Sequence, residues 1–158
     1  MSDSIADELH NRAELTALVY RYADRIDRRD LDGVLSCFTE DAHVSYDNGA
    51  VVIEGREELR QFMTRALSDG GIGADSPSTH VMANVLIELD GAAAHVETTA
   101  VAYLTHRPGL VVARGLRYID DCRRIGTDWL IERRAHLADW QAELPGGPLR
   151  PGPVGTLG

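Results

Sequence analysis

The chain is poor in the residues that announce a metal centre, a disulfide framework or a membrane span. Two cysteines, Cys37 and Cys122, are all it has. They share no CxxC spacing, which excludes a zinc ribbon or a stapled scaffold and predicts two reduced, semi-buried thiols. Its six histidines fall into neither an HxH nor an HExxH pattern, so no metal is expected. GxGxxG, P-loop and GxSxG signatures are missing too, which removes the dinucleotide, nucleotide and α/β-hydrolase readings. Positive charge is also scarce: 16 Lys plus Arg face 25 Asp plus Glu, for a net charge of −9. That balance excludes nucleic acid and anionic membrane as partners, since both need a positive surface. It leaves a small neutral ligand open. No segment approaches the ~20 consecutive apolar residues that span a bilayer. The acidic opening segment has no apolar run of the signal-peptide kind, so a cytoplasmic protein is expected.

What remains is ordinary globular material, 44% hydrophobic and 26% charged over 158 residues. A chain of this length can bury a core without staples. The expected organisation is one domain over residues 1–144 and a Pro/Gly-rich tail over 145–158, extended or disordered. From Ile5 to Ile26 apolar residues recur at helical spacing, through Leu9, Leu15, Leu18, Val19 and Tyr22, and predict one long amphipathic helix. Asp30 is placed to cap a second, short helix with Leu31, Val34, Leu35 and Phe38 on one side. Extended pieces at His43–Tyr46 and Val51–Ile53 flank an Asp47-Asn48-Gly49 turn. A third helix follows Gly55, burying Leu59, Phe62, Met63 and Leu67, and residues 68–78 read as an irregular loop.

The second half changes period. Runs near 79–89, 93–106, 110–124 and 128–140 are rich in Val, Ile, Thr, Leu and Tyr, with turn signals at Asp90-Gly91, Pro108-Gly109 and Gly126-Thr127. Helices first and strands later is the α+β pattern: an antiparallel meander with helices gathered on one face. Strand alternation puts His80, Met82, Asn84 and Leu86 on one face. It groups Leu110, Val112, Arg114, Leu116 and Tyr118 on the third long strand, and Leu130, Glu132, Arg134, His136 and Ala138 on the fourth. Large apolar residues mixed with isolated ionisable ones are the composition of a ligand pocket.

Two residues stand out. Asp27 ends the first helix, on the side shared with Tyr20 and Asp24. A carboxylate is unfavourable there, where the helix dipole is negative, and so calls for a local partner. His80 opens the first long strand, and His136, beside Arg134, is its rival among the histidines. A carboxylate bonded to one imidazole nitrogen fixes the tautomer and leaves the other nitrogen free to take a proton.

The order of segments is familiar. Leu18–Leu31 with Tyr20, Tyr22, Asp24 and Asp27, then Phe38-Thr-Glu-Asp-Ala42, Gly55-Arg-Glu-Glu-Leu59, His80-Val-Met-Ala-Asn84, Gly115-Leu-Arg-Tyr118 and Trp129–Arg134, resemble the SnoaL-like branch of the nuclear transport factor two-like superfamily. The resemblance runs from about Ile5 to about Trp140. It implies a cystatin-like α+β cone: a curved, antiparallel-rich mixed sheet wrapped around a pocket closed by about three N-terminal helices. In site pattern it is similar to scytalone dehydratase, hexachlorocyclohexane dehydrochlorinase and bile-acid 7α-dehydratase. By that resemblance Asp27, His80 and Tyr22 are the catalytic positions, and Arg134, from the last strand, is expected among the substrate-binding residues. Tyr20, Tyr46, Asn84 and Tyr118 are expected to touch substrate. The implied function is a lyase (dehydratase) or isomerase that needs no cofactor and acts on a hydrophobic cyclic, steroid-like or polyketide-like substrate. The alternative is a non-catalytic cone that binds a small ligand or serves as a dioxygenase β-subunit-like protein. Apolar residues on both faces of the long strands predict a homodimer through the open face.

Overall fold

The computed structural model describes residues 2–68, 78–107 and 109–147. Helix α1 (Ser2–Asp27) buries Leu15, Leu18, Val19, Tyr22 and Ile26, as the spacing predicts. Ile5 and Leu9 were expected in that stripe, but both stand exposed. The helix outruns the surface beneath it: 26 residues extend about 39 Å. Among the described residues its hydrogen bonds to the sheet begin at Asn11 and Arg12, with Trp129 Nε1 donating to Asn11 Oδ1 and Arg12 Nη1 to the Ile87 carbonyl.

The end of α1 is specified sharply. Arg29 adopts a left-handed conformation (φ 57°), and the Arg29 and Asp30 amides donate back to the Ile26 and Arg25 carbonyls. That is a Schellman stop with arginine where glycine is usual. Asp27 is thereby fixed in the last helical position. Asp30 then caps α2 (Leu31–Leu35) through its carboxylate, which accepts from the Gly33 amide at 2.9 Å. Phe38, expected on the α2 face, instead opens a strand, β1 (Phe38–Tyr46). Strand β2 (Val51–Glu54) returns against β1, and helix α3 (Gly55–Ser68) buries Leu59 and Met63.

Four long strands follow: β3 (Ser78–Asp90), β4 (Ala93–Arg107), β5 (Leu110–Ile125) and β6 (Asp128–Pro145). They pair as the expected antiparallel meander, and β1 adds to β6 in parallel, giving the sheet order β2-β1-β6-β5-β4-β3. The fold is α+β, a curved mixed sheet with its helices N-terminal, and the sheet is not closed. The loop read over 68–78 lies almost wholly outside the described residues, as does the tail beyond Gly147; within the part described, β6 runs through to Pro145.

Two bulges correct the strand faces. The β3–β4 register shifts between Met82 and Val85, so His80 and Met82 face inward with Val85, Ile87 and Leu89, while Asn84 and Leu86 face out. A second shift, at Asp121/Cys122, turns Trp129 and Ile131 inward together with Arg134 and His136, leaving Leu130 and Glu132 off that face. An extra residue inverts alternation downstream of it. The pattern of side chains alone does not reveal where it sits. Both cysteines are fully buried and free, deeper than the semi-buried thiols expected.

On the outer face Trp140 lies across Gly115, where a built Cβ would meet the indole Nε1 at 2.0 Å. Gly115→Ala is expected to cost about 1–3 kcal/mol through overpacking. In a Trp140→Ala background the same substitution should cost almost nothing. Urea denaturation of the double-mutant cycle checks this, and an equal cost in both backgrounds would refute the contact.

Candidate functional site

The inner face of the sheet is rich in small residues along β4, where Ala100 and Ala102 are buried. Ala102 pairs with His80 on one side and Arg114 on the other, and Arg114 pairs with Gln141. His80, Ala102, Arg114 and Gln141 therefore form one cross-strand row. The short alanine leaves a hollow between longer neighbours. That hollow belongs to a cavity of ≈ 490 Å³ whose walls also include Ile26, Tyr46, Phe62, Leu116, Tyr118 and His136.

At its β3 end the cavity presents a carboxylate–imidazole pair. Asp27 Oδ1 accepts from His80 Nδ1 at 2.7 Å and from the Ser78 hydroxyl at 2.8 Å, while Oδ2 accepts from the His80 backbone amide at 2.8 Å. The imidazole is 7% exposed and the carboxylate 23%. Burial pushes the Asp27 pKa up, but hydrogen bonds from the His80 ring, the His80 amide and the Ser78 hydroxyl help outweigh it and hold the carboxyl below its ordinary 3.8. Asp27 is thus a carboxylate at neutral pH. It fixes the proton of the imidazole on Nδ1 and leaves Nε2 with no protein partner among the described residues.

The β5–β6 side is an aromatic layer over a buried ion pair. Arg134 bonds both oxygens of Asp120, through Nε at 2.7 Å and Nη2 at 2.6 Å, and both side chains are essentially inaccessible. Its guanidinium lies 4.0 Å from the Tyr22 ring centre and 4.6 Å from that of Tyr118. Burial disfavours the Arg134 charge, yet Asp120 more than restores it and the pKa rises further. Tyr118 and Tyr46 are held protonated, chiefly by burial. The Tyr46 hydroxyl lies 3.4 Å from that of Tyr22.

His136 stacks on Tyr46, with ring centres 4.2 Å apart and planes at 11°. Its position depends on the β1–β2 turn. Asn48 clamps the Ala138 backbone with its side-chain amide, its own amide donates to the His136 carbonyl, and the Asp47 amide reaches His136 Nδ1 at 3.4 Å. Burial, together with the Arg134 and Arg114 charges, lowers the His136 pKa to about 4.

Of the expected site residues, the structure brings His80, Tyr46 and Tyr118 together on the cavity wall, with Asp27 behind His80 and hydrogen-bonded to it. Tyr22 and Arg134 are immediately behind its wall, fully buried rather than lining it. Tyr20 is 51% exposed on α1, away from the cavity lining, and Asn84 lies in a separate groove beside Leu86 and Arg117. Four polar residues went unassigned in the sequence: Ser78 on the dyad, Asp120 beneath Arg134, and Arg114 and Gln141 at the cavity wall. Asp120 was discoverable, because it extends the Arg114–Leu116–Tyr118 alternation by one step. Ser78 had no comparable signal. Among the described residues no group of three or more His, Cys, Asp or Glu converges as a metal site would, and no helix is long and apolar enough to cross a membrane.

The chain belongs to the SnoaL-like domain family, whose model matches residues 7–135. The uncharacterized protein Rv2910c of Mycobacterium tuberculosis is 27% identical over 142 residues, covering 85% of this chain and 89% of that protein. Among solved structures, a candidate scytalone dehydratase from Novosphingobium aromaticivorans superposes with a TM-score of 0.75 at 18% identity, covering 98% of both chains. A hexachlorocyclohexane dehydrochlorinase, LinA type 3 of Novosphingobium barchaimii, superposes at 0.76 and 15% identity, covering 93% of this chain and 99% of that one. At these identities the structural likeness establishes the fold.

The His136 shift has a consequence for stability. Its pKa falls from 6.5 unfolded to about 4 folded, so the unfolded chain takes up the proton first as pH drops. Stability is therefore undiminished above about pH 6.5 and declines through the window down to about 4. Urea unfolding between pH 6.5 and 5 should show that slope in the parent and a flatter one in His136→Phe. Equal slopes would contradict a neutral buried His136.

Proposed function

We propose that this protein is a lyase, most simply a dehydratase, or an isomerase of the same chemistry, acting on a hydrophobic cyclic substrate without a cofactor. The observation that carries the reading is the Asp27–His80 hydrogen bond at 2.7 Å on the wall of an apolar cavity. A binding cone or an assembly subunit has no need of a carboxylate that orients an imidazole and leaves its other nitrogen facing a ligand chamber. His80 Nε2 takes a proton made acidic by a neighbouring carbonyl. Asp27 keeps the ring in place and stabilises the imidazolium that forms. The cavity walls, Ile26, Phe62, Met63, Leu104 and Leu116, suit a ring system. Family membership and structural likeness to a candidate dehydratase and a dehydrochlorinase support elimination chemistry in general.

The test is a panel of cyclic β-hydroxy ketones followed by the ultraviolet absorbance of the enone product. Asp27→Asn and His80→Ala should each lower turnover about 10²–10⁴-fold, with circular dichroism unchanged. Full turnover in His80→Ala would remove it as the base.

We also propose a homodimer through the outer sheet face. Val81, Tyr103 and Trp140 are exposed there, and the register places Val81, Val101, Gly115 and Trp140 in a single cross-strand row. Sedimentation velocity should give a dimer at micromolar concentration that Val81→Glu dissociates. A monomeric parent protein would overturn this.

A further inference from the structure

The proton that His80 removes leaves an electron pair behind, and the oxygen that receives it needs a donor. Two cavity-side arginines are unavailable as free cations, since Arg134 is paired with Asp120 and Arg114 with Asp47. The remaining polar groups on the β1 and β6 walls are neutral: the Tyr46 hydroxyl, the Gln141 amide and the His136 imidazole. A site built this way suits an oxygen that is uncharged when it binds and gains charge during the reaction.

His136 is held for that task. Nδ1 accepts the Asp47 amide, which places the single proton of the neutral ring on Nε2. One face is stacked on Tyr46, and Tyr118 meets the ring edge-on at 5.4 Å and 67°. The ring is buried but lines the cavity, and among the described residues nothing in the protein accepts the Nε2 proton. The Arg134 charge behind Tyr118 favours negative charge on the cavity side without neutralising it in advance.

We propose that His136 is a catalytic hydrogen-bond donor whose Nε2–H holds the carbonyl oxygen of an enolisable ketone or thioester. This rests on the lyase reading and names the substrate class of the same site. In the first step the Cα–H bond breaks, its proton passes to His80 Nε2, and its electron pair forms the enolate C=C while the carbonyl π pair moves to the oxygen held by His136. In the second the enolate collapses, the C=C shifts toward the β-carbon and the β C–O bond breaks. The departing hydroxide takes the proton back from His80 and leaves as water. Atoms and charge balance, the base is regenerated, and His136 keeps its proton throughout. Such a neutral imidazole acts as an electrophile without becoming a general acid. Loss of one donor of this type costs about 10²–10³-fold in turnover.

The test does not need the natural substrate. The probes are 2-naphthol, whose phenolic oxygen stands for the enolate oxygen, and naphthalene, which lacks it. By fluorescence titration the parent protein should bind 2-naphthol about tenfold more tightly than naphthalene. His136→Phe should erase that preference while retaining naphthalene, and His136→Gln, which restores an N–H, should recover part of it. A preference unchanged in His136→Phe overturns the proposal, as does a parent protein that binds the two equally or binds neither. Independently of any ligand, ¹⁵N NMR of the histidine rings at pH 7 should show His136 as the Nε2–H tautomer; an Nδ1–H tautomer or an imidazolium overturns it. The two readings separate in experiment. If the naphthol preference holds but His80→Ala retains full turnover on the hydroxy ketones, the base assignment falls and the donor assignment stands.

Discussion

Everything at the site depends on one carboxylate receiving three hydrogen bonds from one strand. Asp27 sits in the last turn of α1, where the helix dipole opposes a negative charge, and it is largely withdrawn from water. Those two penalties are offset by Ser78, the His80 amide and the His80 ring, all from the first residues of β3. The same contacts join the end of the long helix to an edge strand that otherwise pairs only with β4. Removing the carboxylate would loosen the strand and the imidazole together. Structure and chemistry share a single joint, which is why an isosteric amide is a more informative replacement for Asp27 than alanine.

The second constraint is the buried Arg134–Asp120 pair. Ion pairs of this kind are weak evidence for stability, because desolvation consumes most of their attraction. This one is directly opposed across β5 and β6 and covered by Tyr22, Phe38 and Tyr118. It sets a fixed positive charge behind an aromatic wall. Burial is what keeps the polar residues facing the cavity neutral, raising Tyr46 and Tyr118 and lowering His136; the Arg134 charge adds to the His136 shift and opposes those of the tyrosines. The site therefore combines the ionised Asp27 at the edge of the sheet with the neutral donors Tyr46 and His136 nearer its centre.

Much of this was legible before any coordinates. Helical spacing located α1 from Leu15 onward, turn residues located the four-strand meander, and Asp30 announced the α2 cap. Asp27 and His80 were legible as a pair only through the ordered segments around them, since they stand 53 positions apart along the chain. What failed was alternation across bulges: Asn84 and Leu86 were placed inside, and Glu132 was grouped with Arg134, because each strand carries an extra residue that the side-chain pattern does not betray. Tyr20 failed for another reason. Seven residues before Asp27 it occupies the same angular face, yet two turns earlier on the helix it stands exposed.

The distribution of side-chain size decides what such a cavity can hold. Along the inner face of β4 the residues are short, Ala100 and Ala102, whereas β5 contributes Arg114, Leu116 and Tyr118 from the adjoining positions. The hollow therefore lies between His80 and the β5 wall rather than above either. His80 is on the edge strand and His136 three strands further in, and His136 pairs with Tyr118, displaced along β5 from the Arg114 that shares the His80 row. Both rings line the one cavity. On the proposed reading a rigid ring system bridges the two, with its acidic carbon at the edge and its oxygen toward the centre, whereas a short flexible acid reaches only one end at a time. Because His80 and His136 stand on separate strands, their spacing is set chiefly by sheet hydrogen bonds. On the proposed reading, selectivity is consequently a matter of length, imposed by backbone geometry that single side-chain substitutions do not move.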